Sequence, residues 1–133
     1  MVKIKNIKTF YSDIRGEIID IFTNEPKDHC TLVTFTKNAI RGNHFHKKSV
    51  QSAYVLEGRF IIYSVAVNEK LIYNINKIKI SKLTKGDYIT HKEYEAHTYE
   101  CISKKGSLLV FTKGVRGGIY FENDTFRLTK RLA

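Results

Sequence analysis

The sequence predicts an all-β protein, a sandwich or barrel, on three observations. Short runs rich in β-branched and aromatic residues recur along the chain, turn signals separate them, and no segment carries a strong amphipathic helical period. Strands of this length need two sheets to close a core, and in a jelly roll that arrangement leaves a cavity between the sheets.

The runs, in order, are EIIDIF (17–22), TLVTFT (31–36), SAYVLEG (52–58), RFIIYSVAV (59–67), LIYNINKIKI (71–80), DYITH (87–91), HTYECI (97–102), SLLVFT (107–112) and GIYFEN (118–123). NEK at 68–70 and SKKG at 103–106 read as hairpin loops, and LTKGD at 83–87 as a turn into a strand. Nothing resembles a linker, repeat or low-complexity tract, so residues 1–133 are read as one domain around one core.

The N-terminus alternates charged and apolar residues without the apolar block of a signal peptide, and no apolar run approaches the roughly 20 residues of a membrane span. The expectation is a cytoplasmic protein with no membrane partner. Cys30 and Cys101 stand far apart with no CxxC partner or zinc-ribbon spacing, which makes them free thiols.

A formal charge of +10 favours anionic partners. The excess is mostly lysine sprinkled along the chain, and no helix-turn-helix, zinc-finger or RNA-binding signature accompanies it, so a nucleic-acid partner is not expected. The arginines are fewer and better placed. Arg15, Arg41 and Arg116 each precede a glycine, and a guanidinium beside a turn is a good clamp for phosphate oxygens.

The chemistry concentrates in RGNHFHKKSVQ (41–51), where an Arg-Gly turn leads into two histidines. In an extended chain residues i and i+2 share a face, so His44 and His46 project side by side, to hold a metal, a proton or nothing. Farther along, Gly58, Gly86 and His97 complete a layout that resembles the two motifs of the cupin superfamily, G(x)5HxH(x)3–4E(x)6G and G(x)5PxG(x)2H(x)3N. Gln51 stands where that motif has glutamate, Lys92 where it has proline, Tyr94 where it has its second glycine and Cys101 where it has asparagine. Three histidines suit zinc, iron or copper, but a neutral amide at position 51 neither offsets an ion's charge nor competes as a hard ligand.

The opening stretch also resembles the RGxHxHKxxxQ signature of the small cupins that isomerise or epimerise nucleotide-linked keto sugars, in particular the dTDP-4-keto-6-deoxyglucose 3,4-ketoisomerases. SDIRGEIIDI (12–21) is similar to their N-terminal strand pair. The resemblance implies a cupin-type double-stranded β-helix, a nucleotide-diphosphate sugar substrate from surface-polysaccharide biosynthesis, no metal and no other cofactor. It also implies a homodimer whose edge strands are covered by the partner, with KIKNIKTF a strand able to cross over. A 3,5-epimerase, a metal-dependent three-histidine enzyme and a non-catalytic sugar-binding cupin stay open.

Moving a ketone from C4 to C3 needs a proton taken from the carbon beside the carbonyl and one returned to its neighbour. Histidine suits both tasks near neutral pH. On this reading His46 faces the reacting carbons, His44 is its partner or polarises the carbonyl, and the Gln51 amide donates to the enediolate oxygen. His97 lies across the cavity against the substrate, and Tyr99, sharing its facing, is a second acid or a hydrogen-bond partner of the sugar hydroxyls. Arg41 and Arg15 bind the diphosphate, although Arg15 could equally be a turn residue pairing with Asp13 or Glu17. Glu95 is a reserve carboxylate, and His91 and His29 are read as solvent-exposed loop residues without a role.

Overall fold

The computed structural model describes residues 2–114 and 123–133. Its strands are β1 (Lys3–Asn6), β2 (Tyr11–Asp13), β3 (Gly16–Ile18), β4 (His29–Thr36), β5 (Ile40–Phe45), β6 (Val50–Glu57), β7 (Arg59–Ala66), β8 (Lys79–Thr84), β9 (Asp87–His91), β10 (Glu95–Cys101), β11 (Lys105–Lys113) and β12 (Phe126–Arg127). One five-stranded sheet has the order β1-β9-β6-β11-β4, the other β12-β5-β10-β7-β8, and every pairing is antiparallel. The all-β expectation holds, in the jelly-roll form. Among the described residues no helix is long and apolar enough to cross a membrane.

Alternation along the strands builds the core. Positions two apart point to one face, so Val55 on β6, Phe60 and Ile62 on β7, Ile89 on β9 and Leu108 on β11 meet between the sheets, all nearly inaccessible to water. Burying such side chains contributes about 1.5–3 kcal/mol each. The opposite faces are partly covered too. Phe22, from the segment after β3, packs edge-on against Phe111 beside Tyr54 and Tyr88, while Leu132 near the C-terminus closes over Phe45, Val65 and Ala96.

Three expectations are corrected here. The run 71–80 is not one strand: Leu71 turns with φ 64°, the Asn74 side chain accepts from the Asn76 amide, and a single 3-10 turn (Ile75–Lys77) precedes β8. The connection after β7 is therefore long, where NEK suggested a tight hairpin. Of the run 17–22 only its first two residues lie in β3. The turns at Lys85–Gly86 and at Ile102–Lys104 fall where LTKGD and SKKG place them. The expected strand at 118–123 and Arg116 lie outside the described residues, apart from Asn123.

The N-terminal strand β1 pairs with β9 of its own chain. Among the described residues it is the β2–β3 hairpin that pairs with no other strand, and its residues are exposed.

Candidate active site

The histidine-bearing strand departs from regular pairing where it matters. Thr98 of β10 lies opposite Gly42 and His97 opposite His44, so β5 carries one extra residue, Asn43. Gly42 and Asn43 both have positive φ, 91° and 61°, which marks a bulge inside β5 where the sequence suggested a turn before it. A Cβ on Gly42 would fall 2.8 Å from the His97 carbonyl oxygen, so this approach of β5 to β10 requires glycine. Asn43 locks the bulge: its Oδ1 accepts from Thr98 Oγ1 and from the Leu132 amide, both at 3.0 Å.

Inward of the bulge lies a cavity of about 260 Å³. Its polar end is lined by His44, Gln51, His91, His97 and Tyr99, its apolar side by Val33, Phe35, Ala53, Leu108 and Val110. Arg41 also lines it, with its guanidinium 5.4 Å from the Phe35 ring centre. His46 is buried next to this wall, its ring centre 4.9 Å from that of His44 and 5.8 Å from that of His97. The structure thus brings together His44, His46, His97, Tyr99, Gln51 and Arg41, although His97, expected across the cavity, stands beside His44 on the neighbouring strand of the same sheet. It does not bring Arg15, whose exposed side chain pairs with Asp13 through Nη2 at 2.6 Å and Nε at 3.1 Å within the β2–β3 hairpin.

Backbone carbonyls set the ring tautomers. A carbonyl can only accept, so His46 Nδ1 donates to the Asp124 carbonyl at 2.8 Å and His97 Nδ1 to that of Glu95 at 3.2 Å. Each ring then carries its lone pair on Nε2. Asp124, itself buried, accepts from the Lys47 and Lys48 amides and from Ser49 Oγ, and so fixes the loop that follows His46. Gln51 donates from Nε2 to Thr112 Oγ1 at 3.3 Å, which orients its amide in the cavity wall.

Burial disfavours charge on these imidazoles. His44 is pushed down to about 3, by desolvation first and then by His46, Arg127 and His91. His97 is held well below the usual histidine range by burial and then by repulsion from His91, His44 and His46. Burial therefore keeps His44 and His97 neutral and able to accept protons.

His91 is the main correction. Expected in an exposed loop, it ends β9 and is only 2% exposed. Its ring stacks on His97 at 4.3 Å with 17° between planes, and its Nε2 lies 2.6 Å from the Tyr99 hydroxyl. Glu95 is buried as well, with Oε1 3.5 Å from His91 Nδ1. The clue was in the alternation: His91 follows Ile89 by two and so continues the inward row. Burial lowers the His91 pKa, an effect that Glu95 opposes. For Glu95 burial pushes the pKa up, but its favourable partners, His91 first, outweigh this and leave it below the ordinary carboxylate value. His29, by contrast, is exposed as expected.

Candidate ligand nitrogens of His44, His46 and His97 lie within 4.8 Å of one another. With Nδ1 of two rings committed to carbonyls, this donor set fits an imidazole-preferring ion such as zinc, iron or copper. Gln51 would add no charge to such a site.

No protein-family model matches the chain, and no curated protein matches it in sequence. Solved structures do match in fold. QdtA, a sugar 3,4-ketoisomerase from Thermoanaerobacterium thermosaccharolyticum in complex with TDP, aligns over 96% of this chain and 88% of its own, with TM-score 0.75 and 20% identity. A 3,4-ketoisomerase from Helicobacter canadensis aligns over 95% and 90%, with TM-score 0.74 and 21% identity. The dTDP-4-dehydrorhamnose 3,5-epimerase from Elizabethkingia anophelis NUHP1 aligns over 90% and 72%, with TM-score 0.73 and 15% identity. The chain thus has the cupin-type jelly roll found among dTDP-sugar ketoisomerases and epimerases.

Proposed function

We propose that the protein is a metal-independent isomerase of a nucleotide-linked 4-keto-6-deoxy sugar, of the 3,4-ketoisomerase type. The observation that carries this reading is a cavity whose polar end holds His44 and His97, kept neutral by burial, beside the Gln51 amide and backed by His46, in a fold shared with such enzymes. At about 260 Å³ the cavity is below the roughly 300–1,000 Å³ of drug-sized pockets, so the sugar ring enters and the nucleotide stays at the mouth.

The His44–His46 pair handles the protons at carbon. His44 stands at the cavity wall, and His46, its Nδ1 proton held by the Asp124 carbonyl, offers a basic Nε2 behind it. Gln51 supplies a neutral donor for the enediolate oxygen, and His97 closes the wall opposite. Arg41 at the rim takes the diphosphate. The reading includes a homodimer: among the described residues the β2–β3 hairpin that carries Arg15 pairs with no other strand and leaves Phe10 and Ile14 exposed, and β4 ends its sheet with Leu32 uncovered. Free Cys30 and Cys101 accord with a reducing cytoplasm.

A second reading rests on the histidine trio. An ion held by His44, His46 and His97 would polarise the substrate carbonyl as a Lewis acid. NMR of dTDP-4-keto-6-deoxyglucose with the protein in D2O, with and without chelator, separates the readings. Deuterium at C3 and a 3-keto product in the presence of chelator are expected. Exchange at C5 would indicate an epimerase, activity lost to chelator the metal reading, and binding without exchange a sugar-binding module.

A further inference from the structure

Beside the His44–His46 pair a second chain of buried polar groups runs to the cavity wall: Glu95, His91, Tyr99. The turn between β9 and β10 folds Glu95 back over His91, with Tyr94 at φ 58° and its amide donating to the His46 carbonyl at 2.7 Å. The Lys92 amide meets Glu95 Oε1 at 3.4 Å, which keeps the carboxylate beside the imidazole. His91 Nδ1 has no hydrogen-bond partner among the described residues, and at 3.5 Å the Glu95 oxygen is just beyond a formed bond. A carboxylate can only accept, so the His91 proton sits on Nδ1, toward Glu95. Nε2 then accepts from the Tyr99 hydroxyl at 2.6 Å, and the phenol oxygen presents its lone pairs to the cavity that both residues line.

We infer that Tyr99, backed by His91 and Glu95, carries the substrate's oxygen-bound proton between O3 and O4 during carbonyl transposition. This deepens the isomerase reading and rests on it. Once the carbon proton has left C3 for the histidine pair, the enediolate holds one hydroxyl proton on O3 and a negative O4. That proton passes to the Tyr99 oxygen as the Tyr99 proton passes to His91 Nε2, and the resulting imidazolium faces the Glu95 carboxylate. The reverse transfer delivers the proton to O4, after which C4 is protonated and O3 becomes the carbonyl. Tyr99 is the catalytic residue in this step; His91 and Glu95 act through it.

The test compares two rates in one NMR experiment in D2O: exchange at C3, which needs only the histidine pair, and formation of the 3-keto product, which also needs the oxygen proton moved. Tyr99→Phe keeps the ring and removes the hydroxyl. General acid–base groups typically contribute ~10²–10⁴ in rate, so product formation is expected to fall by about 100-fold or more while exchange falls by far less. The exchange-to-product ratio should rise at least tenfold. His91→Gln should give the same ratio change, and Glu95→Gln a smaller one in the same direction. Parallel loss of both rates, or an unchanged ratio, overturns the relay and assigns these groups to packing.

Nitrogen-15 spectra of the unmodified, substrate-free protein give a check that needs no variant to fold. The expected His91 signal is a protonated Nδ1 and an unprotonated Nε2; a proton on Nε2 overturns the relay. An unmodified protein that neither exchanges nor converts the nucleotide sugar overturns the isomerase reading instead, a result separate from any variant's ratio.

Discussion

The same strands build both ends of the space between the sheets, with different materials. On β10 the inward row reads Cys101, Tyr99, His97, opposite Phe60, Ile62, Ser64 on β7. Across the cavity, Val55 and Leu108 pair at one end, and Gln51 pairs with His91 and Thr112 at the other. One end is hydrocarbon with Phe60, Ile62 and Val55 at 0% exposure; the other is imidazole, phenol, amide and hydroxyl, with His91, His97, Tyr99 and Thr112 buried and His44 and Gln51 half-buried. Burial is common to both. What differs is its energetic sign: at the first end dehydration is the source of stability, and at the second it is a cost, offset by hydrogen bonds, that keeps proton-accepting groups neutral.

The comparison is tested most strongly by the histidine pair. His44→Asn and His46→Asn should each lower kcat by about 10²–10⁴, equivalent to about 3–5 kcal/mol of barrier, with nucleotide-sugar affinity within a few-fold. Their unfolding midpoints should move little. Steady-state kinetics beside urea denaturation reads both, and unchanged kcat in either variant removes that histidine from the chemistry.

At the opposite end the pattern inverts. Phe60 is fully buried and lies edge-on to Phe35 at 4.9 Å, so Phe60→Ala opens a cavity that its neighbours cannot fill. The expected loss is about 3–5 kcal/mol of stability by urea denaturation, with kcat per folded molecule unchanged. If the variant instead loses kcat at full stability, the two ends are not separable.

The fold was legible because alternation is a local signal. DYITH at 87–91 is strand β9 residue for residue, and SLLVFT lies wholly within β11. The boundaries missed at 71–80 depend on an Asn74 side chain capping a turn, a choice that alternating apolar residues do not encode. For the site, alternation puts His44 and His46 on one face, while Gln51 and His97 could be singled out only through the resemblance to two family motifs. His91 could not be valued in the same way. Its partners Tyr99 and Glu95 belong to the next strand, and only the turn at Lys92–Tyr94 brings them round to it. Arg15 takes the turn-residue alternative for a related reason: a guanidinium two residues from an aspartate can satisfy itself locally, and it does so here.

The smallest effect, pH, distinguishes the two ends by slope. His44, His91 and His97 all have folded pKa values below the 6.5 of a free imidazole, His44 at about 3. Below pH 6.5 the unfolded chain therefore binds protons that the folded protein refuses. Stability contributed by these groups is complete above about pH 6.5 and is lost as pH falls toward their folded values, by at most about 1.4 kcal/mol per pH unit for each histidine. Glu95, lowered from 4.5, adds to the loss at still lower pH. Urea unfolding followed from pH 8 to pH 4.5 should show a decline that steepens below 6.5. His44→Asn removes one titrating group and should flatten that decline, whereas Ile62→Val, at the hydrocarbon end, should lower the whole curve by about 0.5–1.5 kcal/mol with its slope unchanged. A profile as steep in His44→Asn as in the unmodified protein would mean that His44 takes up its proton in the folded state, and the cavity end would then be wet.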